Sequence, residues 1–189
     1  MIQVRLAGPR RAARVTGLIL GAALLRALLL PAGDLLSTMV FAACLVGISR
    51  FERASATNES RWGSGRSIVA GLMVGAILLV PVVGGALSAR PLGAFLPWAA
   101  VAALVATLEE TAIRGVLYRR LAAEAGTAVA IVVGAAVFAL IHLPRYGLAA
   151  MPLDAAVGLA LGGLRALTGR VLPCAVAHTL ADWGAWFWA

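Results

Sequence analysis

The chain has 189 residues, of which 62% are hydrophobic and only 13% are charged. Soluble domains are nearer half apolar, with about a quarter of their residues charged, and a soluble fold of this length could not bury so much apolar surface. The net charge of +8 comes from arginine, because the chain contains no lysine. These arginines lie in short segments between apolar runs, with no aromatic-interleaved basic patch, so we expect no nucleic-acid partner.

Seven apolar runs follow one another along the chain. A bilayer core of about 30 Å needs about 20 helical residues to cross, and these runs approach that length with their flanks. Continuous runs, instead of alternating ten-residue strands, exclude a membrane barrel. The sequence therefore predicts an all-α, polytopic membrane helix bundle of about seven transmembrane helices. The runs are Val15–Leu30, Leu35–Ser49, Ile68–Ala89, Leu92–Leu108, Ala128–Leu143, Leu153–Leu167 and Val171–Trp188.

The arginines also predict the orientation, because cytoplasmic segments of membrane proteins are enriched in basic residues. With the N-terminus in the cytoplasm, the outer segments hold only Arg90 and Arg145. The inner segments then hold Arg5, Arg10, Arg11, Arg14, Arg50, Arg53, Arg61, Arg66, Arg119, Arg120, Arg165 and Arg170. We expect an integral protein of a bacterial inner membrane with a cytoplasmic N-terminus. Arg26, inside the first run, is costly in lipid unless it snorkels or faces the bundle.

Three pairs of glycines spaced four residues apart predict sites where helix backbones approach closely. They are Gly17 with Gly21, Gly71 with Gly75, and Gly158 with Gly162.

A cluster of charged residues ends the fourth run. Glu110 and Arg114 are four residues apart, so they share a helix face and can form an ion pair. Glu109 lies about 100° further round the helix and is left without that partner. The alternative is a helix end in the membrane interface with a solvated charged face.

Both histidines of the chain lie in apolar runs. His142 follows Phe138 by four residues, and Asp182 follows His178 by four. Glu109 precedes the Glu124–Gly126 turn by about 15 residues and His142 follows it by about 17, so an antiparallel pair of helices sets them at one level. Ionisable groups at membrane depth are expensive, and we therefore predict that the three clusters converge inside the membrane.

Together these motifs resemble those of the CPBP family (CAAX protease and bacteriocin-processing, also called ABI) of intramembrane proteases. The motifs are Glu-Glu-x-x-x-Arg, Phe-x-x-x-His and His-x-x-x-Asn/Asp, and the resemblance covers Leu104 to Asp182. Ile113 and Asp182 depart from the commoner phenylalanine and asparagine, while the N-terminal spans match only in being hydrophobic. The resemblance implies a helical core that encloses an intramembrane polar cavity. From the chain length we expect a single integral membrane domain over residues 1–189, with N-terminal spans in 1–90 and a catalytic core in 91–189.

Amide hydrolysis needs a base for water, a donor for the leaving nitrogen and stabilisation of the oxyanion. Members of the family resemble glutamate-dependent proteases, which implies that Glu109 and His142 activate water. His178 would then donate to the oxyanion, while Asp182 would either hold the His178 ring from behind, the role that we favour, or donate itself if protonated. Glu110, Arg114 and Phe138 would support the site. Zinc held by Glu109, His142 and His178 is the alternative; we favour chemistry without a metal or other cofactor.

The leading hypothesis is thus an endopeptidase that acts within the lipid bilayer on a membrane-associated peptide or protein. Its substrate would be a CAAX-like protein, a leader peptide or a C-terminal sorting tail. Two alternatives stay open: a non-catalytic membrane scaffold or immunity-type protein on the same fold, and a small proton-coupled transporter. The absence of visible inverted repeats disfavours the transporter.

Overall fold

The computed structural model describes residues 10–52, 62–81 and 90–188, which form helices and no β-strand. A π-helical segment, Thr111–Leu117, joins α4 to α5 into one continuous rod. The described residues therefore form seven helical rods, of which α4–α5 is the fourth, and the predicted all-α bundle is confirmed. The helices are α1 (Arg10–Leu29), α2 (Asp34–Phe51), α3 (Ser64–Leu78), α4 (Phe95–Glu110), α5 (Tyr118–Ala125), α6 (Thr127–Tyr146), α7 (Met151–Thr168) and α8 (Leu172–Ala185).

Five segments among the described residues are long and apolar enough to cross a membrane: Arg11–Ala32, Asp34–Phe51, Leu92–Ala125, Thr127–Tyr146 and Leu148–Thr168. The other two helices, α3 and α8, have 15 and 14 residues. The end of the predicted run Ile68–Ala89 lies outside the described residues, as do Arg5, Arg53 and Arg61. The fourth rod continues well beyond Leu108, because the polar residues after that position are buried in the bundle instead of ending the helix.

Close backbone approach occurs at two of the three predicted glycine pairs. A Cβ atom at Gly71 would lie 2.6 Å from the carbonyl oxygen of Pro173 in α8, and one at Gly158 would lie 2.7 Å from Cα of Ala135 in α6. Among the described residues, no atom lies within 4 Å of such an atom at Gly17 or Gly21, so this part of the chain shows no close approach at the third pair. The buried face of α1 is the opposite one, which carries larger side chains such as Val15, Ile19 and Ala22.

The π segment opens the backbone where the fourth rod is most deeply buried. Wider turns leave carbonyl groups without their usual helical partners. The carbonyl oxygen of Arg114 accepts a hydrogen bond from Nε of Arg165 in α7 at 2.9 Å. The Arg165 guanidinium also lies over the ring of Tyr118, 5.0 Å from its centroid. An arginine from the neighbouring helix therefore completes the hydrogen bonding of the π segment.

The N-terminal helices are fastened to the rest of the bundle at both of their ends. At one end, Glu52 accepts a 2.7 Å hydrogen bond from Arg120 and lies 3.3 Å from Arg14. At the other end, Asp34 at the start of α2 pairs with Arg145 near the end of α6 through two hydrogen bonds of 2.5 and 3.2 Å. These contacts fix α1 and α2 against the helices that carry the predicted site.

Candidate active site

A polar cavity of about 350 Å³ lies between α1, α2, α4, α6 and α8. It opens where α2 begins and α6 ends, because Asp34 and Arg145 line it with side chains that are 60% and 34% exposed. The cavity is lined by Arg26, Asp34, Thr38, Arg90, Trp98, Val101, Ala102, Val105, Glu109, Ile141, His142, Arg145, Tyr146, His178, Asp182, Ala185 and Trp186. All four residues predicted as catalytic therefore face one space.

Glu109 lies at the closed end of this cavity and is only 3% exposed. Its Oε2 atom is 3.8 Å from Nε2 of His142 and 3.9 Å from Nε2 of His178. These separations exceed a direct hydrogen bond and suit a small molecule such as water held between the three groups. The prediction that Glu109 and His142 lie at one level is confirmed.

The second nitrogen of each histidine is engaged outside the cavity. Nδ1 of His142 donates to the carbonyl oxygen of Phe138 at 2.8 Å, and Nδ1 of His178 donates to Oε1 of Glu110 at 3.1 Å. A hydrogen bond at one ring nitrogen determines the role of the other. Both Nε2 atoms are consequently directed at Glu109.

Glu110 and Arg114 form the predicted ion pair, with Nη1 of Arg114 donating to Oε1 of Glu110 at 2.9 Å. The two side chains are 0% and 1% exposed. Arg114 also donates from Nη2 to the carbonyl oxygen of Gly158 at 3.0 Å. Since the same Glu110 oxygen accepts from His178, this buried pair orients a histidine of the cavity.

The aromatic ring of Phe138 packs against both histidines and against the guanidinium of Arg114. Its centroid is 4.3 Å from that of His142 and 5.2 Å from that of His178. The guanidinium of Arg114 lies over the same ring at 4.7 Å. Phe138 therefore separates the buried pair from the cavity while it contacts both histidines.

Asp182 occupies a different position from the one expected for a residue that holds His178 from behind. Its Oδ1 atom is 3.7 Å from Nε2 of His178, on the cavity side, and its side chain is 35% exposed. Spacing by four residues does place both groups on one face of α8. Glu110 nevertheless takes the far ring nitrogen because it reaches His178 from α4, a contact that spacing along one helix does not reveal.

Two cavity residues that the sequence did not mark as site residues contact the predicted cluster. Nη1 of Arg26, in the last turn of α1, is 3.9 Å from Oε1 of Glu109; its position in an apolar run was the available signal. The ring of Tyr146 stacks on His142 at 5.8 Å, and its spacing of four residues from His142 would have suggested that contact.

The cluster also has the composition of a metal site. Donor atoms of Glu109, His142 and His178 lie within 4.8 Å of one another, and two nitrogens with one carboxylate are a ligand set that zinc accepts. The outer nitrogens of both rings are already held by a carbonyl and a carboxylate, the usual second contacts of metal-binding histidines. These residues thus fit a zinc ion, which would supply Lewis-acid activation of water.

The cavity thus presents a carboxylate and two histidines among helices that are mostly long and apolar enough to cross a membrane. Residues 90–184, half of the chain, match the family model described as Type II CAAX prenyl endopeptidase Rce1-like. The chain belongs to this family of proteases, as the motifs predicted, and it is an integral membrane protein. No curated protein and no solved structure matches the chain.

Proposed function

We propose that this protein is an intramembrane endopeptidase in which Glu109 is the general base. The observation that carries the proposal is the position of Glu109, whose Oε2 atom is 3.8 and 3.9 Å from the Nε2 atoms of two histidines. A water molecule fits between these three groups, and the cavity is open to solvent at one end. His142 orients the water from one side, while Glu109 removes its proton.

The hydrolysis then proceeds in two steps. Water attacks the carbonyl carbon of the scissile bond as Glu109 takes one of its protons, and the carbonyl oxygen becomes an oxyanion. The C–N bond breaks as the proton on Glu109 moves to the leaving nitrogen, which yields a carboxylic acid and an amine. The acid then transfers its proton to the amine or to solvent. His178 stabilises the oxyanion from its Nε2 side, because Glu110 and Asp182 both support a positive charge on its ring.

We favour a mechanism without metal, because Arg26 places a positive charge 3.9 Å from the carboxylate that a zinc ion would need. A guanidinium beside this carboxylate competes with a divalent cation for the same negative charge. Turnover should therefore survive exhaustive chelation, and the active protein should contain substoichiometric zinc by elemental analysis. If chelation removes zinc and activity together, and adding zinc back restores the activity, this preference is reversed. Inhibition by added zinc would not reverse it, since the ion can bind the same ligands in a metal-free enzyme.

We also propose that the substrate reaches the cavity from the non-cytoplasmic side. The mouth lies at the Asp34–Arg145 pair, at the opposite end of the bundle from the turn between α5 and α6. The arginine distribution puts that turn in the cytoplasm. Among the candidate substrates, this favours a leader peptide or a C-terminal sorting tail over a CAAX-like protein that is presented in the cytoplasm.

Cysteine labelling tests the direction of the mouth. In a background with Cys44 and Cys174 changed to alanine, Leu148→Cys marks the mouth and Thr127→Cys the opposite end. An impermeant maleimide should label Leu148→Cys in intact cells and should label Thr127→Cys only after permeabilisation. The reverse pattern would put the mouth in the cytoplasm and favour the CAAX-like substrate.

The proposed activity is tested by comparing the peptides of membranes that contain the wild type or Glu109→Gln. A new terminus that forms only with the wild type identifies the scissile bond. An internally quenched peptide that spans this bond then measures turnover in proteoliposomes. The absence of any new terminus in the wild-type membranes would favour the scaffold, and a proton-coupled flux that is lost in the variant would favour the transporter.

A further inference from the structure

We infer that Arg26 is a catalytic residue that donates hydrogen bonds to the oxyanion of the scissile peptide bond. This inference rests on the proposed function. Arg26 belongs to α1, outside residues 90–184 that the family model matches, so the family resemblance assigns it no role. Its position beside the proposed general base assigns it one.

The guanidinium of Arg26 is held in place, but its hydrogen-bond donors are not occupied by other protein groups among the described residues. It lies over the ring of Phe41 in α2, 4.9 Å from the centroid, and its side chain is 13% exposed. Among the described residues its buried Nε has no hydrogen-bond partner. The 3.9 Å between Nη1 and Glu109 is an ion-pair contact and is too long for a hydrogen bond. A planar, five-donor group thus faces the cavity with its donors available.

Three other arginines near the cluster or the cavity already have partners, and one of them, Arg90, lies over the ring of Trp186 at 5.1 Å. Arg114 donates to Glu110 and to the carbonyl oxygen of Gly158, and Arg145 donates to Asp34 through both of its terminal nitrogens. An oxyanion in this cavity can therefore draw new hydrogen bonds from Arg26 without breaking an existing one.

The donor count of the site explains why such a group is needed. Nδ1 of His142 donates to Phe138, so in the neutral ring Nε2 is an acceptor, and the carboxylate of Asp182 accepts as well. His178 supplies one donor at Nε2 when its ring is charged. Oxyanion sites are built from more than one such donor. Arg26 supplies the second from the side of Glu109 that faces away from both histidines.

The distances of Arg26 and the histidines from Glu109 favour a role at the reacting carbonyl over a role in binding distant parts of the substrate. Arg26 is 3.9 Å from one oxygen of Glu109, as far as the two histidines are from the other oxygen. Arg26 and both histidines therefore line one cavity around the same carboxylate, and a carbonyl that is attacked there develops its negative charge within that cavity.

Kinetics of Arg26→Met test the inference with the internally quenched peptide in proteoliposomes. Methionine keeps the apolar stem against Phe41 but has no donor. We expect kcat to fall about 10²–10³-fold, as for loss of one oxyanion donor, with KM nearly unchanged. Arg26→Lys, which keeps a charge and a donor, should recover part of this loss. Arg14→Met makes the same change at the other end of α1, where the side chain is 70% exposed, and should leave kcat unchanged.

Each outcome bears on a separate conclusion. Full turnover by Arg26→Met, alongside an inactive Glu109→Gln, would overturn the inference and leave the proposed function standing. A rise in KM alone, or a loss of activity that matches a loss of folded protein in a thermal unfolding assay, would also overturn it. Wild-type turnover by Glu109→Gln would remove the proposed function itself.

Discussion

Glu109→Gln is expected to fold and to lose cleavage by about 10²–10⁴-fold, the contribution of a general base to a hydrolytic rate. Glutamine has nearly the same shape as glutamate but takes up no proton from water. The carboxylate contacts its three neighbours only at 3.8–3.9 Å, so no direct hydrogen bond is broken by the change. Turnover in proteoliposomes, with thermal unfolding of the same samples, measures both halves of this expectation.

The neighbouring residue provides the control, because Glu110→Gln makes an identical chemical change one position along the helix. Activity lost from Glu109→Gln in proportion to lost folded protein would show that the carboxylate serves the fold. Full activity in a well-folded Glu109→Gln sample would mean that another group activates the water.

Glu110→Gln should reduce the stability of the protein by about 3–5 kcal/mol, the cost of leaving one partner of a buried ion pair uncompensated. The Arg114 side chain is 1% exposed and cannot reach water. The same glutamate also accepts from Nδ1 of His178 at 3.1 Å, so the variant should lose the orientation of that ring as well. A lower unfolding temperature and low yield after detergent extraction are the expected measurements.

A double variant separates the lost charge balance from lost packing. Glu110→Gln combined with Arg114→Met removes the unpaired cation and should recover a large part of the stability. Activity should stay low even when the stability recovers, because His178 still lacks the Glu110 carboxylate as its partner. Equal stability of Glu109→Gln and Glu110→Gln would contradict the division of roles between the two glutamates.

Sequence spacing predicted the parts of the site that lie within one helix or one hairpin. Glu110 and Arg114 pair because four residues separate them. Glu109 and His142 meet because α4–α5 and α6 run antiparallel from a short turn, so distance from the turn fixes depth.

Contacts between distant helices could not be predicted in this way. Glu110 and His178 are 68 residues apart, and their contact depends on how far each helix rotates about its own axis. Arg26 reaches Glu109 only because α1 docks beside the fourth rod with that face inward. Its expense in lipid marked it as a buried cation, but no local pattern specified its partner.

The π segment Thr111–Leu117 has a consequence for how this rod tolerates insertions and deletions. A π turn holds one residue more than an α turn, so losing a residue here could restore a regular α-helix without breaking the rod. If the same residues instead formed a uniform α-helix, everything beyond the segment would turn by about 100° relative to Glu109 and Glu110. Arg120 would swing away from Glu52, and the acidic and basic halves of one rod could no longer face their partners together. The π turn thus sets the rotation between the two ends of this rod. It lets Glu109 and Glu110 reach the cavity residues while Arg120 reaches Glu52, which a uniform α-helix of the same length could not do.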